Sequence, residues 1–385
     1  MTDSIRSLIL IMLALALAGC GVFNRDRNDA DRPAALVDFD SRLQVERLWS
    51  TSAGAGSNRS RPALRPFVDG DEVWVGDHRG RIVSVNAANG RILQRFDTRL
   101  DLSAGPAVFG NLLLVGTFDG KLVALDRASG SERWRAPLSS EVLSYPVLHD
   151  GVIVVRCIDG RTFGIDPADG RRLWVHDRSV PLLTLRGNSD PLTRAGQVFI
   201  GYDNGTVAGL RVNDGSILWE QRVSVPEGRT ELERLADIDG PMAIVGTDLY
   251  VVTYRGRMAS MAIESGRILW VKDVSSHSGI SLLRTQIALA DRDDTVWMVD
   301  RRNGSTLWRE DRLARRGLTR PVFVEDYLVT VDNEGFMHWL DAGTGDFVAR
   351  VRPTRNAPVS APVVVGNVVY LLDEDGNLSA WRPRG

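Results

Sequence analysis

Cysteine is almost missing from this chain: only Cys20 and Cys157 occur in 385 residues. A disulfide framework and a four-cysteine zinc site are thereby excluded. Histidine is scarce too, and the five residues, at 78, 149, 176, 277 and 338, show no metal-ligand spacing. There is no phosphate-cradling glycine loop and no G-x-S-x-G elbow. Two acidic turns, Asp291-Arg292-Asp293-Asp294 and Asp373-Glu374-Asp375-Gly376, lack the twelfth-position Glu of a calcium loop and read as hairpin turns. An excess of one charge is also missing, because 47 Lys and Arg against 49 Asp and Glu leave a net charge of −2. Bulk electrostatics therefore suggests no nucleic-acid partner, and Arg312, Arg315 and Arg316 read as a solvated loop. The apolar run Leu8 to Leu17 is too short for a spanning helix. Glycine and tryptophan, by contrast, are plentiful, with 37 and 10 copies. Together they suggest many short strands joined by tight turns.

The first residues form an address. Arg6 precedes the apolar run, which ends in Leu17-Ala18-Gly19-Cys20. That arrangement reads as a signal peptide over residues 1–19. Small residues just ahead of Cys20 resemble the bacterial lipobox. The resemblance implies cleavage before Cys20, lipidation of its sulfur, and, with Gly21 rather than Asp next, sorting to the periplasmic face of the outer membrane. Acyl burial contributes about 0.8 kcal/mol per CH₂, so more than one chain anchors stably. Residues 20–40, with mixed charges from Arg25 to Arg32 and no periodicity, read as a flexible tether. Cys157, left alone in an apolar strand, reads as inert core.

The remainder, residues 41–385, is one repeat written eight times. Residues 113–134, LLVGTFDGKLVALDRASGSERW, show it best. An apolar strand meets a turn glycine, here Gly120, often preceded by Asp or Asn as in primed hairpins. An alternating strand follows, then a second turn glycine, Gly130, and a third strand carrying Trp134. Further tryptophans recur at 174, 219, 270 and 308, whereas Gln94 and Val348 stand in their place in two copies. An apolar stretch ahead of each copy supplies a fourth strand, and four strands per roughly 40 residues make a propeller blade. The fold expected is all-β, a single eight-bladed propeller, with each Trp an inter-blade wedge. The last copy ends before its Trp strand, and that strand reappears at the chain start as Val45-Glu46-Arg47-Leu48-Trp49. The N-terminal strand should therefore close the last blade and remove an open edge.

The rhythm fails in one place. Successive second-turn glycines lie about one repeat apart except for Gly170 to Gly215, 45 residues, and Gly215 to Gly266, 51 residues. The surplus falls in residues 179–193 and 223–241, two neighbouring loops on one face. Function on propellers sits on such loops. The first holds Leu182, Leu183, Leu185 and Arg186; the second holds Leu232 and Leu235, with Asp237 and Asp239 after a capping-box pair, Thr230 and Glu233. The leucines either form a contact patch or pack the loops onto the propeller, and composition does not choose between these.

The repeats resemble the quinoprotein (PQQ-like) repeat, with Ala124-Leu125-Asp126 to Trp134 the nearest copy. Quinoprotein dehydrogenases bind PQQ beside vicinal cysteines, which this chain lacks. The lipobox, eight blades and the segments Leu183-Thr184-Leu185-Arg186-Gly187 and Arg234-Leu235-Ala236-Asp237-Ile238-Asp239 together resemble the outer-membrane protein assembly factor B family. The resemblance implies a non-enzymatic scaffold lipoprotein without cofactor or metal. Its partner would be a POTRA domain of the barrel-forming insertase, met through Leu183, Leu185, Arg186, Asp237 and Asp239. Nascent outer-membrane proteins are a second partner class that the resemblance leaves open. The competing readings are a PQQ-dependent dehydrogenase and a propeller that binds envelope glycans.

Overall fold

The computed structural model describes residues 32–57, 64–178, 189–225, 229–230 and 235–384. They form eight four-stranded antiparallel sheets, the blades of one propeller. Blades one to seven use consecutive strands, within residues 67–97, 102–137, 147–176, 192–222, 243–272, 281–310 and 322–351. Blade eight takes its three inner strands from residues 363–384, and its outermost strand is β1 (Gln44–Ser52), paired from Gln44↔Arg384 to Ser52↔Asn377. The N-terminal strand thus closes the ring, as the incomplete last repeat predicts.

The alternation of each repeat becomes burial. The two middle strands of each blade are buried on both sides, because each blade is sandwiched between two others; Val152–Arg156 is buried at every position. Outermost strands alternate, so Glu132–Pro137 buries only Trp134 and Ala136. The tryptophans act as wedges for a definable reason. The indole of Trp134 lies on Gly170 of the next blade, so closely that a Cβ there would sit 2.5 Å from the ring. The indole N–H donates to the Pro167 carbonyl at 3.0 Å. Trp174 on Gly215 and Trp219 on Gly266 repeat the arrangement, with N–H bonds to Val212 and Ile263 carbonyls at 2.8 and 2.7 Å. The second turn glycine therefore serves two demands at once, a left-handed turn and a seat for the neighbour's indole. Trp134→Ala should cost about 3–5 kcal/mol, read as a lower denaturation midpoint with an unchanged slope.

Two details differ from the sequence reading. Where Trp is missing in blade one, Phe96 replaces it, its ring lying on Gly130. In blade seven the Trp position is Ala349, not Val348: Ala349 pairs with Trp339 as Trp134 pairs with Ala124, and it follows Gly345 by the same four residues that separate Trp134 from Gly130. The first-turn glycine also has an exception, since blade six uses Asp294 with φ 64° instead.

Residues expected in the tether are partly docked. Ala34 N–H donates to the Ala314 carbonyl at 2.9 Å, and the Phe39 ring stacks on Phe347 at 5.4 Å between centroids. Arg316 and Arg350 donate to the carbonyls of Ala34 and Val37 at 2.8 and 2.9 Å. Arg316 is thereby corrected from a solvated residue to a buried one, paired with Asp332 and Glu334 at 2.7 Å each. Its charge is tolerable inside because both carboxylates meet it. Cys157 is fully buried and burial pushes its thiol up to about 12, so it stays a neutral thiol. Cys20 lies outside the described residues.

Candidate functional site

The described ends of both long loops lie on the face that carries the turn between the second and third strands of each blade, such as those at Gly160 and Gly205. Of the five partner-binding residues expected from the sequence, Leu183, Leu185 and Arg186 lie outside the described residues, whereas Asp237 and Asp239 are described. The stretch 235–240 runs between blades four and five. Ile238 N–H donates to the Tyr202 carbonyl at 3.3 Å, and Tyr254 N–H to the Asp237 carbonyl at 2.9 Å. Leu235, Ala236 and Ile238 are buried. Packing is thus the correct reading for Leu235, while Leu232 falls outside the described residues. Ile238 approaches so closely because its neighbour is Gly201; a Cβ there would lie 2.4 Å from the Ile238 side chain.

This packing sets Asp237 and Asp239 beside two residues that sequence reasoning missed. Arg156, at the end of its strand, is fully buried and donates to the Gly201 carbonyl and to Asp203 Oδ1, each at 2.7 Å. Its guanidinium lies 5.3 Å from the Tyr202 ring centroid, and that of Arg178 lies 4.6 Å from the same centroid. Arg178 is in turn paired with Glu220. The missed signal was present in the register. The positions equivalent to Arg156 in the other blades are Gly76, Gly116, Gly201, Val252, Ala290, Val331 and Leu372, all small or apolar. A lone arginine there needs a carboxylate close by, and Asp203 of the next blade supplies it.

Among the described residues, Arg156 is paired with Asp203, and Asp239 lies within electrostatic reach of Asp237, Asp203 and Arg156. Both Asp239 carboxylate oxygens are enclosed and have no hydrogen-bond partner. Burial pushes the Asp239 carboxyl well above the usual carboxylate range, the charges of Asp237 and Asp203 push it further, and Arg156 opposes them. Asp239 is thus an enclosed carboxyl without a hydrogen-bond donor among the described residues. A donor brought by another molecule would satisfy it.

The family model described as outer membrane protein assembly factor BamB matches residues 94–310 and 292–383. The chain belongs to the BamB family. It is 48% identical over 377 residues to the BamB of Alkalilimnicola ehrlichii, covering 98% of this chain and 97% of that one. It is 44% identical to the BamB of Pseudomonas aeruginosa, covering 97% and 98% of the two chains. Among solved structures, the BamB of Moraxella catarrhalis superimposes with a TM-score of 0.81 at 26% identity, over 88% of this chain and all of that one. A quinohemoprotein alcohol dehydrogenase from Comamonas testosteroni, at 12% identity and TM-score 0.66 over 88% of this chain and 76% of that one, shows the propeller fold alone. Family and fold thus agree with the sequence reading. Among the described residues no group of His, Cys, Asp and Glu is arranged to hold a metal ion.

Proposed function

We propose that this protein is a non-enzymatic scaffold of outer-membrane protein assembly, anchored through lipidated Cys20 on the periplasmic face of the outer membrane. It binds a POTRA domain of the barrel-forming insertase with the face that carries the two long loops. Membership of the BamB family supports the role. The observation that supports the site is the Asp239 carboxyl, whose two oxygens are enclosed and have no hydrogen-bond partner among the described residues. A partner Lys or Arg completes the pair, while Leu183 and Leu185 bury apolar area around it and Arg186 meets an acidic group of the partner. Such anchors, ringed by contacts that exclude water, carry most of an interface's free energy.

A carboxylate kept for a partner has opposite effects on binding and on folding. The folded-state pKa of Asp239 is raised, so the folded protein binds more protons than the unfolded chain between the unfolded value and the folded one. Stability is therefore lost as pH rises through that window. Asp239→Asn should stabilise the isolated protein by about 1 kcal/mol, and its advantage over wild type should grow with pH. The same change should weaken binding of the insertase's soluble POTRA segment at least tenfold. Wild-type affinity should fall on acidification, because Asp239 must be ionised to pair, and the variant should lose that dependence. Calorimetric titration with both proteins, alongside thermal unfolding across pH, reads all of this. Undiminished binding by a folded Asp239→Asn variant would discard the site, and absence of wild-type binding would discard the partner.

A further inference from the structure

The propeller axis carries a second, separate cluster of charge. In each blade one residue stands two places before the three consecutive paired residues of the innermost strand (Ala107 to Phe109 in blade two), where the chain enters the ring from the loop-bearing face. Six of the eight residues that follow this position are proline. The position itself is Gly, Ala or Pro in four blades. In the others it is Arg65, Tyr145, Asp190 and Arg320, of blades one, three, four and seven. Arg65 is ion-paired with Asp190. Blades one and four are not neighbours, so this pair is made across the axis. Tyr145 donates its hydroxyl to the Arg65 carbonyl, and the Arg65 guanidinium lies 4.1 Å from the Tyr145 ring centroid. The Tyr145 N–H donates to Asp190 at 2.8 Å. Arg320 donates to the Ser281 hydroxyl, and its Nε is enclosed without a partner.

We propose that this axial cluster binds a small oxyanion, a carboxylate or a phosphate, between Arg65 and Arg320. Among the described residues of the cluster two guanidiniums share one carboxylate, which leaves one positive charge. Arg320, half-buried, donates to a neutral hydroxyl while Asp190 is taken up by Arg65. Burial and the nearby Arg65 push Arg320 down to about 10, which still leaves it cationic at neutral pH; the destabilised charge is what an arriving anion relieves. The cluster is not sealed from solvent, since the Arg65 side chain keeps 30% of its surface exposed. Guanidinium forks suit the paired oxygens of either ligand class. Asp190 fixes Arg65, and the Tyr145 ring restricts the approach to the guanidinium edge. The site owes nothing to Asp239 or to the insertase, so it stands or falls independently of them.

The test is calorimetric titration of inorganic phosphate and, separately, of acetate into the full-length protein in detergent, at ionic strength fixed with sodium chloride. Saturable binding of one or both is expected, and the arm that binds more tightly identifies the ligand class. Two variants should move the affinity in opposite directions. Arg320→Gln removes the unmatched charge and should weaken binding at least tenfold. Asp190→Asn keeps an acceptor for the Tyr145 N–H but frees Arg65, and should strengthen binding severalfold. No saturable binding by the wild type overturns the proposal. So does an Arg320→Gln protein that binds as before. Should Arg320→Gln fail to fold, an Asp190→Asn protein with unchanged or weaker affinity overturns it equally.

Discussion

Deleting residues 44–52 should leave a chain that does not hold its native fold, even though seven blades keep every strand. Those residues are β1, which covers the edge of Asn377–Arg384 over its full length. β1 also brings Trp49, whose indole lies on Gly90 of blade one and donates to the Ala87 carbonyl at 2.9 Å. Trp49 is thus the wedge that joins the last blade to the first. Removing its side chain alone should cost about 3–5 kcal/mol, against a total of about 5–15 kcal/mol for a typical domain. Removing the strand adds a bare ladder edge, which is an invitation to pair with another copy. Size-exclusion chromatography and denaturant titration distinguish the cases. The deletion should aggregate or unfold at low denaturant, and full-length Trp49→Ala should fold with a lowered midpoint. A truncated chain with a wild-type midpoint would mean that ring closure contributes little.

Arg156→Ala should be the most damaging single substitution at the candidate site, at about 3–5 kcal/mol. The loss has two parts. The Gly201 carbonyl and Asp203 lose their donor. Asp239 then feels the charges of Asp203 and Asp237 without the opposing charge of Arg156. The second part is specific, and a double change exposes it. Adding Asp203→Asn to Arg156→Ala should restore part of the stability, because it removes one of three mutually repelling carboxylates. Purely additive losses in chemical denaturation would show that Arg156 acts by packing alone. Restored stability should come without restored POTRA binding, since the surface around Asp239 is altered in both proteins.

The architecture was legible in the sequence because it is written as a repeat. Hairpin glycines and wedge tryptophans recur at fixed offsets, each enforced by a local demand: Gly170 must both turn and admit the indole of Trp134. Even the strand exchange at the chain ends could be counted, since one copy lacked its last strand and another stretch had no copy to belong to. In blade seven the offset of four residues from Gly345 gives Ala349, one residue beyond the Val348 of the sequence reading, and the pairing with Trp339 agrees with it. The docking of residues 34–39 was also hidden, because it depends on Arg316 and Arg350, which meet this segment only after blade seven forms. At the candidate site, Asp237 and Asp239 were visible as acidic residues in an overlong loop. Arg156 and Asp203 were not, although an arginine in the series Gly76, Gly116, Arg156, Gly201 is an anomaly once the strands are aligned. Pairing across blades is set by assembled geometry, and a sequence read one repeat at a time does not contain it.

The N-terminal segment also determines how the molecule bears load. A force drawn through the N-terminus does not reach β1 first. It meets the backbone bond from Ala34 to Ala314, the guanidinium clasps of Arg316 and Arg350, and the Phe39–Phe347 stack, on blade seven and the connection that leads into it. These contacts must part before tension is passed to the strand that closes the ring. A molecule tugged at that end between membrane and partner would thus yield first at the clasp, gaining a few residues of slack, while the ring remains shut.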